Sequence, residues 1–133
     1  MIQEFFYGKG LDTHCPLGPC IVTRRALPDP GHLTIGLRVN GEVRQHNTRA
    51  NMIFDVPTTI AAVSAGMTLE PGDVIAMGTP GGCPCAMMPP RFLQPGDLVE
   101  AELESIGALR NAVCAHTPAV TGTPTVGTRK EVP

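Results

Sequence analysis

Glu100, Glu102 and Glu104 alternate along the run Leu98-Val99-Glu100-Ala101-Glu102-Leu103-Glu104. On a strand, a two-residue period sends all three carboxylates to one side, as a hard cation would require. A solvated strand face has the same pattern, and that is how we read it. Cys83-Pro84-Cys85, taken with Cys15 and Cys20, offers four thiols. Four thiolates suit zinc, but Cys-x-Cys and Cys-x₄-Cys are not its usual ligand spacings, so reduced structural or surface thiols are expected. Gly78-Thr79-Pro80 follows the apolar run Val74-Ile75-Ala76-Met77. By itself it is a strand-ending turn, although glycine-rich backbone can approach an anion closely. Lys9 alone reads as a solvated loop cation. His14, His32, His46 and His116 are scattered, and His32 and His46 flank a hairpin as surface residues. The sequence has no Gly-x-Ser-x-Gly elbow, phosphate-binding Gly-Lys-Ser/Thr loop or dinucleotide fingerprint, which argues against serine hydrolase, nucleotide hydrolase and nicotinamide chemistry.

The elements that must position these side chains are mostly strands. The chain has 133 residues, enough for one domain, with 15 Gly and 14 Pro, which excludes a helix bundle and favours short strands on tight turns. Leu33, Ile35, Leu37 and Val39 alternate with polar or small residues, and Asn40-Gly41 supplies a type I′ turn into a return strand over 42–46. A shorter strand is expected at 20–23, and another at 74–77. Asp29 should bond the backbone two residues on in the Pro-rich turn at 27–31. One helix is expected over 55–65, capped by Asp55, with Pro57 in its first turn, Val56, Ile60 and Val63 on one face, and Gly66 left-handed at its end. Glu70-Pro71-Gly72-Asp73 and Gln94-Pro95-Gly96-Asp97 both read as type II turns feeding strands. Residues 98–104 and 109–115 form a final antiparallel pair joined near Ser105-Ile106-Gly107. Residues 116–133, rich in Thr, Pro and Gly, are expected to be a disordered tail. A formal net charge of −2 gives no electrostatic case for nucleic acid or a bilayer surface. Five cysteines, an odd number, and the lack of a signal-peptide pattern at the start favour a reducing cytoplasm.

Lys9-Gly10-Leu11-Asp12-Thr13-His14-Cys15-Pro16-Leu17-Gly18-Pro19 resembles the Lys-Gly-Phe-Asp-Thr-x-x-Pro-x-Gly-Pro segment of the fumarylacetoacetate hydrolase family. Further blocks follow in the family's order: Val39-Asn40-Gly41-Glu42, Arg44-Gln45 with Asn47-Thr48, Met52-Ile53-Phe54, and Thr68-Leu69-Glu70-Pro71-Gly72-Asp73-Val74-Ile75. Gly78-Thr79-Pro80, Pro89-Pro90-Arg91-Phe92-Leu93, Pro95-Gly96-Asp97, Gly107 and Leu109-Arg110-Asn111 complete the set, over roughly residues 3–114.

The resemblance implies a mainly β chain with one or two short helices, part of a mixed β-sandwich roll. It makes residues 1–115 a partial catalytic domain. It implies hydrolysis or isomerisation of a 2-oxo or 2-hydroxydienoate acid from aromatic catabolism, a divalent Mg²⁺ or Mn²⁺, and a homodimer. The longest block looks most like the branch of 5-carboxymethyl-2-hydroxymuconate isomerase, 2-hydroxyhepta-2,4-diene-1,7-dioate isomerase and acylpyruvate hydrolase. By resemblance Lys9 faces the bound acid and stabilises enolate charge, Thr79 with Gly78 bonds the substrate carboxylate, and Thr13 lies near an accessory cation. Asp12 is expected to serve its local turn. Arg44, Gln45 and Asn47 are expected to hold the hairpin and a neighbouring loop. The family's Glu-x-Glu and Asp metal ligands, and its His-Glu proton-transfer pair, lie upstream of the Lys-Gly block, so the main ligands are expected to be missing here, with the N-terminal portion of the domain. The competing expectation is a catalytically dead fragment serving as an interaction or dimerisation module. Open sheet edges and apolar faces would make such a chain self-associate.

Overall fold

The computed structural model describes residues 9–115. The tail expected over 116–133 lies outside the described residues. Among the described residues, four strands make one antiparallel sheet: β1 (Thr34–Val39), β2 (Glu42–Thr48), β3 (Leu98–Leu103) and β4 (Gly107–Ala112), in the order β2-β1-β3-β4. The β1–β2 hairpin closes through Asn40 at φ 53° and Gly41 at φ 79°, the two positive dihedrals that a type I′ turn requires. Its return strand runs to Thr48, two residues beyond expectation. The β3–β4 hairpin turns through Ser105 at φ 63° and Gly107 at φ 125°, so β4 begins two residues earlier than expected. In the turn at 27–31, Asp29 Oδ1 accepts from Gly31 N at 2.8 Å as expected.

Helix α1 (Val56–Ser64) starts at Asp55, whose Oδ1 accepts from Thr58 N at 2.8 Å. That contact satisfies one of the orphan amides of the first turn and holds the Asp55 carboxyl below its usual pKa. The helix ends differently from expectation. Gly66 is not left-handed; Gly66 N and Met67 N both donate to Val63 O at 3.2 Å, and Ala65 stays right-handed. A tightened last turn satisfies the carbonyl without a positive φ.

Two expected strands do not form among the described residues. Residues 20–23 and 74–77 belong to no ladder. A strand is defined by its neighbour's hydrogen bonds, and no described strand pairs with either segment. Ile21 is accordingly 96% exposed and Val74 74% exposed.

Register sorts the sheet into two faces. Ile35, Leu37 and Val39 of β1 oppose Leu103, Ala101 and Val99 of β3, and Ala101 opposes Leu109 of β4, giving an apolar face. Gly36, Arg38, Glu100, Glu102, Ala108 and Arg110 share the other. Among the described apolar side chains only Leu33 and Val39 are buried. Ile53, Phe54, Met88 and Phe92 are all exposed. The described sheet therefore carries little of the packed second layer that closes a domain of this size.

Candidate functional site

The site grows from an irregularity in β2. Leu37 pairs with Gln45 but Arg38 pairs with Val43, so Arg44 is the extra residue of a bulge. Bulges re-aim side chains, and here the outer edge of β2 receives the loop from 78 to 91. Gln45 Nε2 donates to Thr79 Oγ1 and to the Pro80 carbonyl, both at 2.9 Å. Gly82 has φ +104°, and a Cβ there would run into the Arg44 carbonyl, so the two backbones touch where only glycine fits. Arg44 Nη1 lies 3.6 Å from Met87 Sδ. Arg91 grips Glu42 with two bonds, at 2.6 and 2.8 Å. That fork holds the Glu42 carboxyl below its usual pKa, with Arg44 adding to the effect, and raises the Arg91 guanidinium further. In order, 79–80, 82, 87 and 91 meet 45, 44, 44 and 42. The loop thus runs antiparallel to β2 and covers an edge that would otherwise be open.

Strapping the loop there shapes a cleft of about 760 Å³. Its floor is Ile35 and Leu103 from the apolar face, one wall is Asn47 to Phe54, and the other is Ala76 to Gly81. Gly78, at φ +89°, and Thr79 both line it. Asn47 stiffens the opposite wall: its Oδ1 accepts from Thr48 N at 2.8 Å and from Asn51 Nδ2 at 2.7 Å. Arg44, Gln45 and Asn47 thus hold the hairpin and its neighbouring loops.

The other candidate residues sit elsewhere. Lys9 and Thr13 belong to the exposed segment 9–14 and do not line this cleft. Thr13 takes φ 66°, uncommon for a β-branched residue. The Asp12 carbonyl accepts from His14 Nδ1 at 3.0 Å, which assigns the imidazole proton to that nitrogen. A second cleft, of about 450 Å³, opens on the polar face beside Glu100, Glu102 and Glu104. Two of its carboxylates are engaged in structure. Glu104 Oε2 accepts from Thr34 N at 2.8 Å, which lowers its pKa, and Glu100 Oε1 takes Arg110 Nε at 2.6 Å. Cys15, Cys20, Cys85 and Cys114 are exposed, and none of the described cysteines is in a disulfide. Among the described residues no group of three His, Cys, Asp or Glu side chains could hold a metal ion. The donor set on hand therefore does not fit Mg²⁺ or Mn²⁺, which take several oxygen ligands. Sequence reasoning missed the Glu42–Arg91 clamp and the specific partner of Gln45. Both pairs are separated by tens of residues, and only the presence of all four residues in matching family blocks hinted at them.

Comparison with known proteins agrees with this architecture. Residues 1–114 match the family described as Fumarylacetoacetate (FAA) hydrolase C-terminal. The chain is 45% identical over 111 residues to the oxaloacetate tautomerase YisK of Bacillus subtilis, covering 84% of this chain and 37% of that protein. The fumarylacetoacetate hydrolase of Exiguobacterium antarcticum has a similar structure, with a TM-score of 0.81, 51% identity, and coverage of 84% of this chain and 40% of the other. Maleylpyruvate hydrolase from Sphingobium sp. SYK-6, solved with manganese(II) ion and pyruvate, gives a TM-score of 0.69 and 38% identity over 77% of this chain and 36% of that one. The 5-carboxymethyl-2-hydroxymuconate delta-isomerase of Mycobacterium smegmatis gives 0.67 and 36% over 84% and 43%. The chain thus spans well under half the length of each of these relatives. No helix among the described residues is long and apolar enough to cross a membrane.

Proposed function

Since this chain belongs to the fumarylacetoacetate hydrolase family, we propose that it supplies the carboxylate-binding wall of a site that isomerises a small 2-oxo acid between keto and enol forms. The observation that carries the proposal is the Thr79 hydroxyl, held beside the Gly78 backbone on the wall of the 760 Å³ cleft. A hydroxyl and a glycine backbone grip a carboxylate, while the apolar floor of Ile35 and Leu103 suits the carbon skeleton. The reaction needs no co-reactant. Solvent water takes the C3 proton, the C–H electrons form the C2=C3 bond, the C2 carbonyl oxygen takes the charge, and a proton returned from water closes the enol. In this reading Lys9 neutralises the developing oxyanion. Lys9 enters by family resemblance, from a segment outside the cleft lining, so it is the part most exposed to test.

The proposal includes a divalent Mg²⁺ or Mn²⁺, because a relative was solved with manganese. The described side chains do not form its cradle. An accessory cation near Thr13 belongs to the same proposal, as does a homodimer. The similarity to YisK supports an oxaloacetate-like dicarboxylic substrate. A second reading, hydrolysis of a dicarbonyl acid, is favoured by the similarity to maleylpyruvate hydrolase. A third, an interaction module without turnover, is favoured by the exposed apolar side chains and the lack of metal donors among the described residues. The deciding experiment follows the enol absorbance of oxaloacetate in the presence of Mg²⁺ or Mn²⁺. Turnover by the chain, lowered about ten- to a hundredfold in kcat/KM by Thr79→Val and kept by Thr79→Ser, supports the enzyme reading. No turnover in either metal, with self-association in its place, supports the module.

A further inference from the structure

We infer that Gln45 is a positioning residue that turns the Thr79 hydroxyl into an obligatory donor, so that the cleft selects a ligand group that only accepts hydrogen bonds. The inference rests on the reading of Thr79 as the carboxylate contact. It goes further by saying what makes that contact selective.

The Gln45 amide sets the direction of the bonds. Its Nε2 has two hydrogens and two partners, Thr79 Oγ1 and the Pro80 carbonyl, each at 2.9 Å. A carbonyl can only accept, so the amide nitrogen, not its oxygen, must face Pro80. The amide orientation follows, and with it the second hydrogen is committed to Thr79 Oγ1. That oxygen is now an acceptor toward Gln45, and its own hydrogen must point elsewhere. Among the described residues its other polar neighbour is the adjacent Pro80 carbonyl, at 3.4 Å, too long for a good O–H···O bond. The hydrogen is left for a ligand. Accepting from Gln45 also polarises the hydroxyl and strengthens it as a donor.

The contact is more than a chance meeting of two exposed side chains. Gln45 pairs with Leu37 directly beside the bulge at Arg44. Next to it, Gly82 lies so close to the Arg44 carbonyl that no side chain could be accommodated. Farther along, Arg91 grips Glu42 on the same strand. The separation of Gln45 from Thr79 is thus set by two apposed backbones. A threonine on an unsupported loop would donate or accept according to its ligand and would not discriminate between a carboxylate and an amide.

The test uses the 133-residue chain, with pyruvate as the acceptor-only probe and pyruvamide as a neutral probe that offers N–H. Gln45→Glu keeps the shape but removes both hydrogens. The introduced carboxylate would accept from Thr79, reverse the hydroxyl, and face the Pro80 carbonyl. Calorimetry should show pyruvate binding weakened about tenfold or more while pyruvamide is held or gains, so the preference shifts toward the amide. Lowering the pH until the introduced carboxylate is protonated should restore part of the preference for pyruvate. Gln45→Leu and a melting curve control for the loop: a merely structural role would lower both affinities together. If Thr79→Val abolishes pyruvate binding while Gln45→Glu leaves the pyruvate-to-pyruvamide ratio unchanged, Gln45 only fastens the loop and the inference is overturned. If Thr79→Val binds pyruvate normally, or the wild-type chain binds none, the reading of the site itself falls and takes the inference with it. The free chain offers a second test, without ligand. The Gln45 side-chain amide protons should exchange slowly and respond to Thr79→Val. Exchange as fast as that of a solvated glutamine would overturn the inference.

Discussion

The same four-residue turn occurs twice in this chain and leads to two different outcomes. In Glu70-Pro71-Gly72-Asp73, Glu70 N donates to Asp73 Oδ2 at 2.8 Å, Asp73 N donates to Glu70 O at 3.1 Å, and Gly72 has φ 105°. In Gln94-Pro95-Gly96-Asp97 the corresponding values are 2.8 Å, 3.0 Å and 96°. Locally the two are one motif. The second, however, is built into the sheet. Asn40 Nδ2 donates to Asp97 Oδ1, Leu98 N donates to Asn40 Oδ1, and Val113 N donates to the Asp97 carbonyl, all at 2.8 Å. It feeds β3, which is paired on both sides. The first feeds residues 74–77, which have no ladder partner among the described strands, and leads on to the Gly78-Thr79 wall. A turn is thus specified by four residues, whereas a strand is specified by whatever lies next to it.

Paired substitutions sharpen this contrast. Gly96→Ala and Gly72→Ala each force a side chain into a left-handed dihedral in open space, a strain of about 1–2 kcal/mol. For Gly96 the full cost should appear in global denaturant unfolding, because the turn is tied to β1, β3 and the chain after β4. For Gly72 it should appear as faster exchange of the Glu70 and Asp73 amides, with the global midpoint nearly unmoved. Equal midpoint shifts would mean that both turns belong to one cooperative unit.

A smaller effect belongs to the aspartate of the second turn. The Gln94 amide and then Asn40 hold the Asp97 carboxyl below its ordinary pKa. Its contribution to stability is therefore full above the unfolded value of about 3.9 and is lost as the pH falls through the lower folded value. Asp97→Asn should flatten that part of the acid-unfolding profile. An unchanged acid-unfolding profile would contradict the anchoring of Asp97 by the Gln94 amide and Asn40.

The hairpin, both proline-glycine turns, the Asp29 turn and the Asp55 cap were legible in the sequence because each is decided within a few residues. Asn40-Gly41 needs no tertiary partner to turn. The strands expected at 20–23 and 74–77 were not correctly legible, because apolar residues alone do not supply a neighbour. The left-handed Gly66 failed for a related reason: the last helical turn tightened onto Val63 and satisfied the same carbonyl another way. Gly78 and Thr79, which line the cleft, are nominated as substrate contacts by family resemblance alone. Gln45 belongs to a block expected to hold a loop, but its partner is 34 residues away and no local pattern names it. The three glutamates at 100, 102 and 104 show the opposite hazard. Their spacing is chemically suggestive, yet Glu104 caps the Thr34 amide, Glu100 pairs with Arg110, and Glu102 lies exposed.

The two clefts on opposite faces of the sheet allow the most direct test of the proposal that a 2-oxo acid binds at the Thr79 wall. Pyruvate is titrated into the labelled chain while backbone and side-chain amide resonances are followed. Binding at the Thr79 wall predicts saturable shifts at Gly78, Thr79 and Asn47, with Glu100, Glu102 and Glu104 unmoved. Shifts confined to the polar face, or none at Thr79 at saturating pyruvate, would contradict it.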